Sequence, residues 1–219
     1  MDGPASLGIV EILGIATSVS LLAGWRLYAV VLATGIAMRS GYVPLPEHLE
    51  SLRILANPWV MGLAAIGTLA EFFADKIMWL DSLWDTVHTL VRPVGGALLA
   101  VAIVDPSDPA TQVIAFLLGG GGALLAHGGK ASARAVVNTS PEPVSNIAVS
   151  GLEDVATLGL LWLAYEYPAA AIAVAVVVLA LCGALLVLAR RVLHRLFWRT
   201  GQATQHPLPA DPLVPPPSG

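Results

Sequence analysis

The sequence predicts an all-α, polytopic membrane protein with about six membrane segments. Three observations carry this expectation. The chain of 219 residues is 56% hydrophobic and only 12% charged, about half the charge of an ordinary soluble domain, and its mean hydropathy is +0.76. Long apolar runs such as 169–189 are of the length that crosses a bilayer. Finally, two apolar stretches carry acids: Glu71 lies in 59–73 with Asp75 four residues on, and the adjacent pair Glu153 and Asp154 lies in 147–164. Carboxylates are costly in hydrocarbon, so they normally face a packed interior or an aqueous path.

The first apolar region, 7–38, is interrupted only by Glu11 and Arg26. It is longer than the bilayer core, so it either projects beyond the membrane or breaks near Gly24, Trp25 and Arg26. Without a basic leader or an obvious cleavage site, it reads as a membrane helix, not a signal peptide. After a polar loop, Asn57 and Pro58 open a second helix that runs through Glu71, since proline suits a first helical turn. Residues 75–92 change character. At helical spacing, every polar side chain there except Lys76 falls on one face of about 140°. This predicts an amphipathic helix along the membrane surface, its face solvated and held by pairs of His88 with Asp85 and Arg92.

Pro93 precedes a short apolar run, 94–104, which either re-enters the membrane or borrows residues from the amphipathic helix. Asp105 to Pro109 form a turn. The fourth run, 110–126, contains four consecutive glycines at 119–122, which allow close backbone approach or a helix break. A polar extension, 127–137, and a turn-rich loop, 138–146, lead to runs five and six (147–164 and 169–189). The single membrane domain is expected to span 1–199, and the Pro-rich tail 200–219 to be disordered. Cys182 reads as a small core- or lipid-facing residue.

Arg190, Arg191, Arg195 and Arg199 directly follow the last run and place the C-terminus in the cytoplasm. Six crossings then put the N-terminus inside as well, in a bacterial inner membrane, with 75–92 and 127–146 cytoplasmic. Arg39 and Arg53 fall on the opposite side against this trend. Three crossings per half, 7–104 and 110–199, would invert the second half relative to the first, an arrangement found in many transporters. The strings LLAGWR (21–26) and LLAHGGK (124–130) echo each other, each with a cation after a glycine.

Glu71, Asp75, Glu153 and Asp154 admit four readings: a cation or proton site at mid-membrane, buried ion pairs with Arg26, Lys130 or Arg134, a metal site with His88 and His127, or acids at the aqueous end of a helix. Arg26 and Lys130 would also suit a phosphate or lipid head group, although Lys130 and Arg134 read most simply as cytoplasmic surface charge. No Walker, GxGxxG, HExxH or GxSxG pattern occurs. Neither enzymatic chemistry nor a cofactor is therefore expected, and the basic C-terminal segment reads as a membrane anchor, not a nucleic-acid site. The sequon at Asn138 would be cytoplasmic and unused.

The strings EFFADKIMWLDSLWDTVH (71–88), RPVGGALLA (92–100), HGGKASARAVVNTSPEPVSN (127–146) and LED (152–154) resemble a family of small bacterial integral-membrane proteins known only as a domain of unknown function. The resemblance covers about residues 10–198. It implies a polytopic membrane protein and supplies no activity. EFFADK (71–76) is weakly similar to the E-x-G-D-K/R signature of inverted-repeat cation/proton exchangers, with an extra residue, no glycine before the Asp, and no second copy. The expectation is thus a small transporter or channel, cation- or proton-coupled, centred on Glu71 and Glu153 with Asp75 and Asp154 in support. A homodimer would suit so small a chain. A lipid-handling protein or a membrane scaffold are the alternatives.

Overall fold

The computed structural model describes residues 8–41, 47–137 and 143–203. Among these, six α-helices and one 3₁₀ segment, Glu47–Ala56, account for nearly all the chain, and no strand occurs. The helices are α1 Ile9–Ser40, α2 Pro58–Ala74, α3 Met78–Ile103, α4 Pro109–Val137, α5 Pro143–Glu166 and α6 Pro168–Ala203. Five of them (all but α2) contain stretches long and apolar enough to cross a membrane. The chain is therefore an all-helical, multi-pass membrane protein. The sequon at 138–140 and the Pro-rich segment 204–219 lie outside the described residues.

Local chemistry sets the helix ends. The Glu11 carboxylate accepts from the Gly8 N–H at 2.9 Å, so the acid early in the first apolar run caps its helix, where negative charge is favoured. Asn57 accepts from the Trp59 N–H at 2.9 Å with Pro58 in the first turn, as the sequence predicts. In the turn before α4, Asp105 accepts from the Ser107 hydroxyl at 2.7 Å and its N–H at 2.8 Å. Asp108 accepts from the Thr111 hydroxyl and N–H. These bonds hold both carboxyls below the ordinary carboxylate range.

The long first helix does break, at Arg26, whose backbone leaves the helical region (φ −142°, ψ 71°). The carbonyl of Trp25 beside the break accepts a bond from Lys130 Nζ at 3.3 Å, a side-chain partner of the kind a broken helix ladder requires. Residues 94–104 neither re-enter nor stand alone. Residues 94–103 continue the helix begun at Met78, with Pro93 accommodated inside it, and Val104 follows it in extended backbone.

That continuity corrects the reading of 75–92 as a surface helix. The polar face is real, but it is turned inward: Asp81, Asp85, His88 and Arg92 are all buried. The physical reason is that α3 packs its polar stripe against α1 and α4, two of its most extensive neighbours. Its opposite face, with Leu83, Val87, Leu90 and Val94, is exposed and suits lipid. The polar extension 127–137 is likewise not a surface segment. It belongs to α4, and Lys130 and Arg134 are buried in place of serving as cytoplasmic surface charge.

α1, α3 and α4 meet along a seam of small residues. The Ser20 hydroxyl donates to the Gly96 carbonyl at 2.7 Å. At Gly24 an added Cβ would lie 2.7 Å from the Ala123 Cα. At Gly119 it would strike the Ala100 methyl and lie 2.8 Å from the Gly96 carbonyl oxygen. The four-glycine run thus serves close approach, and α4 runs through it unbroken. Cys182 is buried against Gly129. Around this core the large apolar side chains of α2, α4 and α6, such as Leu63, Phe116 and Leu181, face outward. Charge inside and hydrocarbon outside is the inverse of a soluble protein and requires an apolar solvent.

Candidate functional site

Five helices deliver their charged residues to one buried region. Asp75, the residue that ends α2, is fully buried (0% exposed). One of its oxygens, Oδ2, pairs with Arg26, with Lys130 Nζ at 3.2 Å and with Arg134 Nη2 at 3.4 Å. Arg134 also donates to the Asp75 carbonyl at 3.0 Å. Three cations therefore gather at the C-terminal end of α2, where the helix dipole favours positive charge. α5 closes the group. Arg26 lies 3.0 Å from Asp154 Oδ1 and donates to the Ser150 hydroxyl and carbonyl at 3.1 and 3.2 Å. Glu153 is 3.0 Å from Arg134 and 3.5 Å from Lys130. Lys76 stands at the margin, donating to the Ser150 hydroxyl at 3.3 Å with its ammonium 3.4 Å from the centre of the Phe72 ring.

A second centre forms around Arg92, which is also fully buried. Its guanidinium contacts Glu71 Oε1 at 2.5 Å, Asp85 Oδ1 at 3.1 Å and His127 Nδ1 at 2.7 Å. Because an arginine can only donate, His127 Nδ1 must be the unprotonated nitrogen. Its Nε2–H then points to the Asp85 carbonyl at 3.1 Å. His88 is arranged the other way round. Its Nδ1 donates to the Trp84 carbonyl at 2.8 Å, which leaves Nε2 to accept from Tyr28 at 3.0 Å. Among the described residues no three His, Cys, Asp or Glu side chains come together as metal ligands would.

Among the described residues, two cavities that reach this network share no lining residue. One, of about 240 Å³, is lined by polar groups of α3 and α4, among them Asp81, Asp85, His127 and Arg134. The other, of about 280 Å³, lies between α1, α2 and α5 and ends on Arg26, Glu71 and Asp154. Asp75 lines neither cavity, yet Arg134 from the first and Arg26 from the second both bind its Oδ2. The charges are uneven. Among the described residues, six carboxylates (Glu71, Asp75, Asp81, Asp85, Glu153, Asp154) meet five cations (Arg26, Lys76, Arg92, Lys130, Arg134).

The acids singled out in the sequence thus converge. Asp75, Glu153 and Asp154 belong to one ion-pair group, whereas Glu71 pairs with Arg92 in the second centre. Arg26 and Lys130 both turn to carboxylates, so an anion there would have to compete with Asp75 and Glu153. Sequence reasoning missed Arg92, Asp81, Asp85 and Ser150 as members of the network. The one available signal was the polar face of 75–92, in which Asp81, Asp85 and Arg92 already aligned.

A helical membrane protein that buries a network of opposite charges at the meeting of five helices is the class that fold and site define. The chain belongs to the family described as Domain of unknown function (DUF4126), whose family model matches residues 13–189. It matches no curated protein and no solved structure.

Proposed function

We propose that this protein is a small membrane transporter or channel that moves a cation or is coupled to protons, with the carboxylates of the network as its site. The observation that carries the reading is the sharing of Asp75 Oδ2 between cations that line two separate cavities. A cation or proton arriving from either cavity competes with Arg26, Lys130 or Arg134 for the carboxylates. It thereby shifts which pairs form, and so which packing is favoured. The excess of carboxylates over cations favours a positively charged passenger over a phosphate. Glu71, Asp75, Glu153 and Asp154 supply the negative charge, and Arg26 and Lys130 are the resident cations that the passenger displaces.

In this reading the halves 7–104 and 110–199 are inverted relatives that rock against each other, and the protein sits in the bacterial inner membrane with both ends in the cytoplasm. That orientation requires α2 to count as a sixth crossing. Its 17 residues extend about 26 Å, close to the roughly 30 Å hydrocarbon core.

Cysteine labelling tests access and topology together. In a Cys182→Ser background, Thr86→Cys reports on the α3–α4 cavity and Ala33→Cys on the α1–α2–α5 cavity. A membrane-impermeant thiol reagent is expected to reach the two from opposite faces of oriented vesicles, and to reach cysteines at residues 2 and 202 from the same face. Labelling of both cavities from one face would overturn alternating access. Labelling of the two ends from different faces would overturn the six-crossing topology.

A further inference from the structure

The cavity between α1, α2 and α5 carries more information than its charge. Glu71 is 1% exposed, and only one of its oxygens is used: Oε1 binds Arg92, while Oε2 has no hydrogen-bond partner. A buried carboxylate oxygen without a donor is costly, and Glu71 lines a cavity of about 280 Å³, far larger than a single water needs. The rest of the lining divides sharply. The charged lining residues are Glu71, Asp154 and Arg26, the last already engaged by Asp75, Asp154 and Ser150. Beyond them the walls are Ala29, Leu32, Ala33, Ile36, Phe72 and Leu158.

Bare metal ions fit this lining badly. A hard cation requires about six oxygen ligands, and besides the two carboxylates the cavity offers one hydroxyl, Thr68, which already donates to the Ala64 carbonyl at 2.7 Å. An ammonium group with an apolar body fits both parts. Its N–H donors would meet the Glu71 and Asp154 carboxyl groups, and its hydrocarbon or aromatic portion would lie along Leu32, Ile36 and Leu158.

We propose that this cavity is the binding site for a lipophilic organic ammonium ion, held at its charged end by Glu71 and Asp154. The inference rests on the transporter reading and names its substrate class. The polar α3–α4 cavity, with Asp81, Asp85 and His127, is then the route of the coupling proton or the exit path.

The test is calorimetric titration of the detergent-purified full chain with 2-phenylethylammonium, using 2-phenylethanol as the neutral isostere and potassium as the inorganic control. Saturable binding of the ammonium alone is expected. Glu71→Gln should weaken it at least about tenfold, the loss of one charge-assisted hydrogen bond. Because Glu71→Gln also disturbs Arg92, Ala29→Leu serves as a second variant. It narrows the apolar part of the cavity without removing an ion-pair partner, and it too should weaken binding about tenfold or more. Gly121→Ala, whose added methyl meets nothing within 4 Å, should bind the ammonium as wild type does. Equal binding of the alcohol, no saturable binding of the ammonium, or binding unchanged in both Glu71→Gln and Ala29→Leu would overturn the inference. Ammonium binding without flux in vesicles would leave this site standing and sink the transporter reading. Proton or inorganic-cation flux without ammonium binding would do the reverse.

Discussion

Replacing Asp75 by asparagine is expected to destabilise the folded protein by about 3–5 kcal/mol, the cost of removing one partner from a buried ion pair. The substitution keeps the shape of the side chain and removes only its charge. Arg26, Lys130 and Arg134, all buried, would then repel one another around a neutral amide, with Glu153, Asp154 and Asp81 left to offset them. A partial control lies on α5. The Asp154 side chain is 33% exposed, so solvent screens its pairing, and Asp154→Asn should cost only about 1 kcal/mol or less. Denaturant unfolding of both variants in detergent measures the difference. Equal stabilities would mean that Asp75 is not the centre of the network.

The second large effect is steric. Gly119→Ala should destabilise the protein by about 1–3 kcal/mol, the usual cost of overpacking, because its methyl would collide with Ala100 and crowd the Gly96 carbonyl and the Ser20 hydroxyl. Gly121→Ala, two residues along the same helix, meets nothing within 4 Å and should leave stability unchanged or raise it by about 0.5–1 kcal/mol through helix propensity. Opposite signs at two neighbouring glycines are the signature of a seam on one side of α4. Thermal unfolding of the two variants reads it directly, and a loss at Gly121 as large as at Gly119 would place the seam wrongly.

Much of the architecture was legible because hydrophobicity in a membrane protein is nearly one-dimensional. The apolar runs, the break near Arg26, and the Asn57 and Pro58 helix start all follow from local sequence. What local sequence cannot supply is which way a polar face turns. The stripe Asp81, Asp85, His88, Arg92 has the same spacing whether it meets water or a neighbouring helix. Only the packing of α3 on α1 and α4, through Gly96, Gly119 and Ala123, decides for burial. Lys130 and Arg134 were misread for a related reason. Basic residues after an apolar run ordinarily mark the cytoplasmic surface, but here α4 continues to Val137 and carries them inward to Asp75 and Glu153. The pairing of Glu71 with Arg92 spans 21 residues and a change of helix, beyond what spacing can show.

Flux through the protein itself tests the central claim most directly. Purified protein in liposomes loaded with a pH-sensitive dye would be challenged with proton and monovalent-cation gradients, alongside Glu71→Gln and Glu153→Gln. The account predicts flux above that of protein-free liposomes, abolished or reduced at least about tenfold in both variants while Gly121→Ala retains it. No flux in the wild type under any gradient, with the variants merely less stable, would contradict the account and leave the network as a structural clamp.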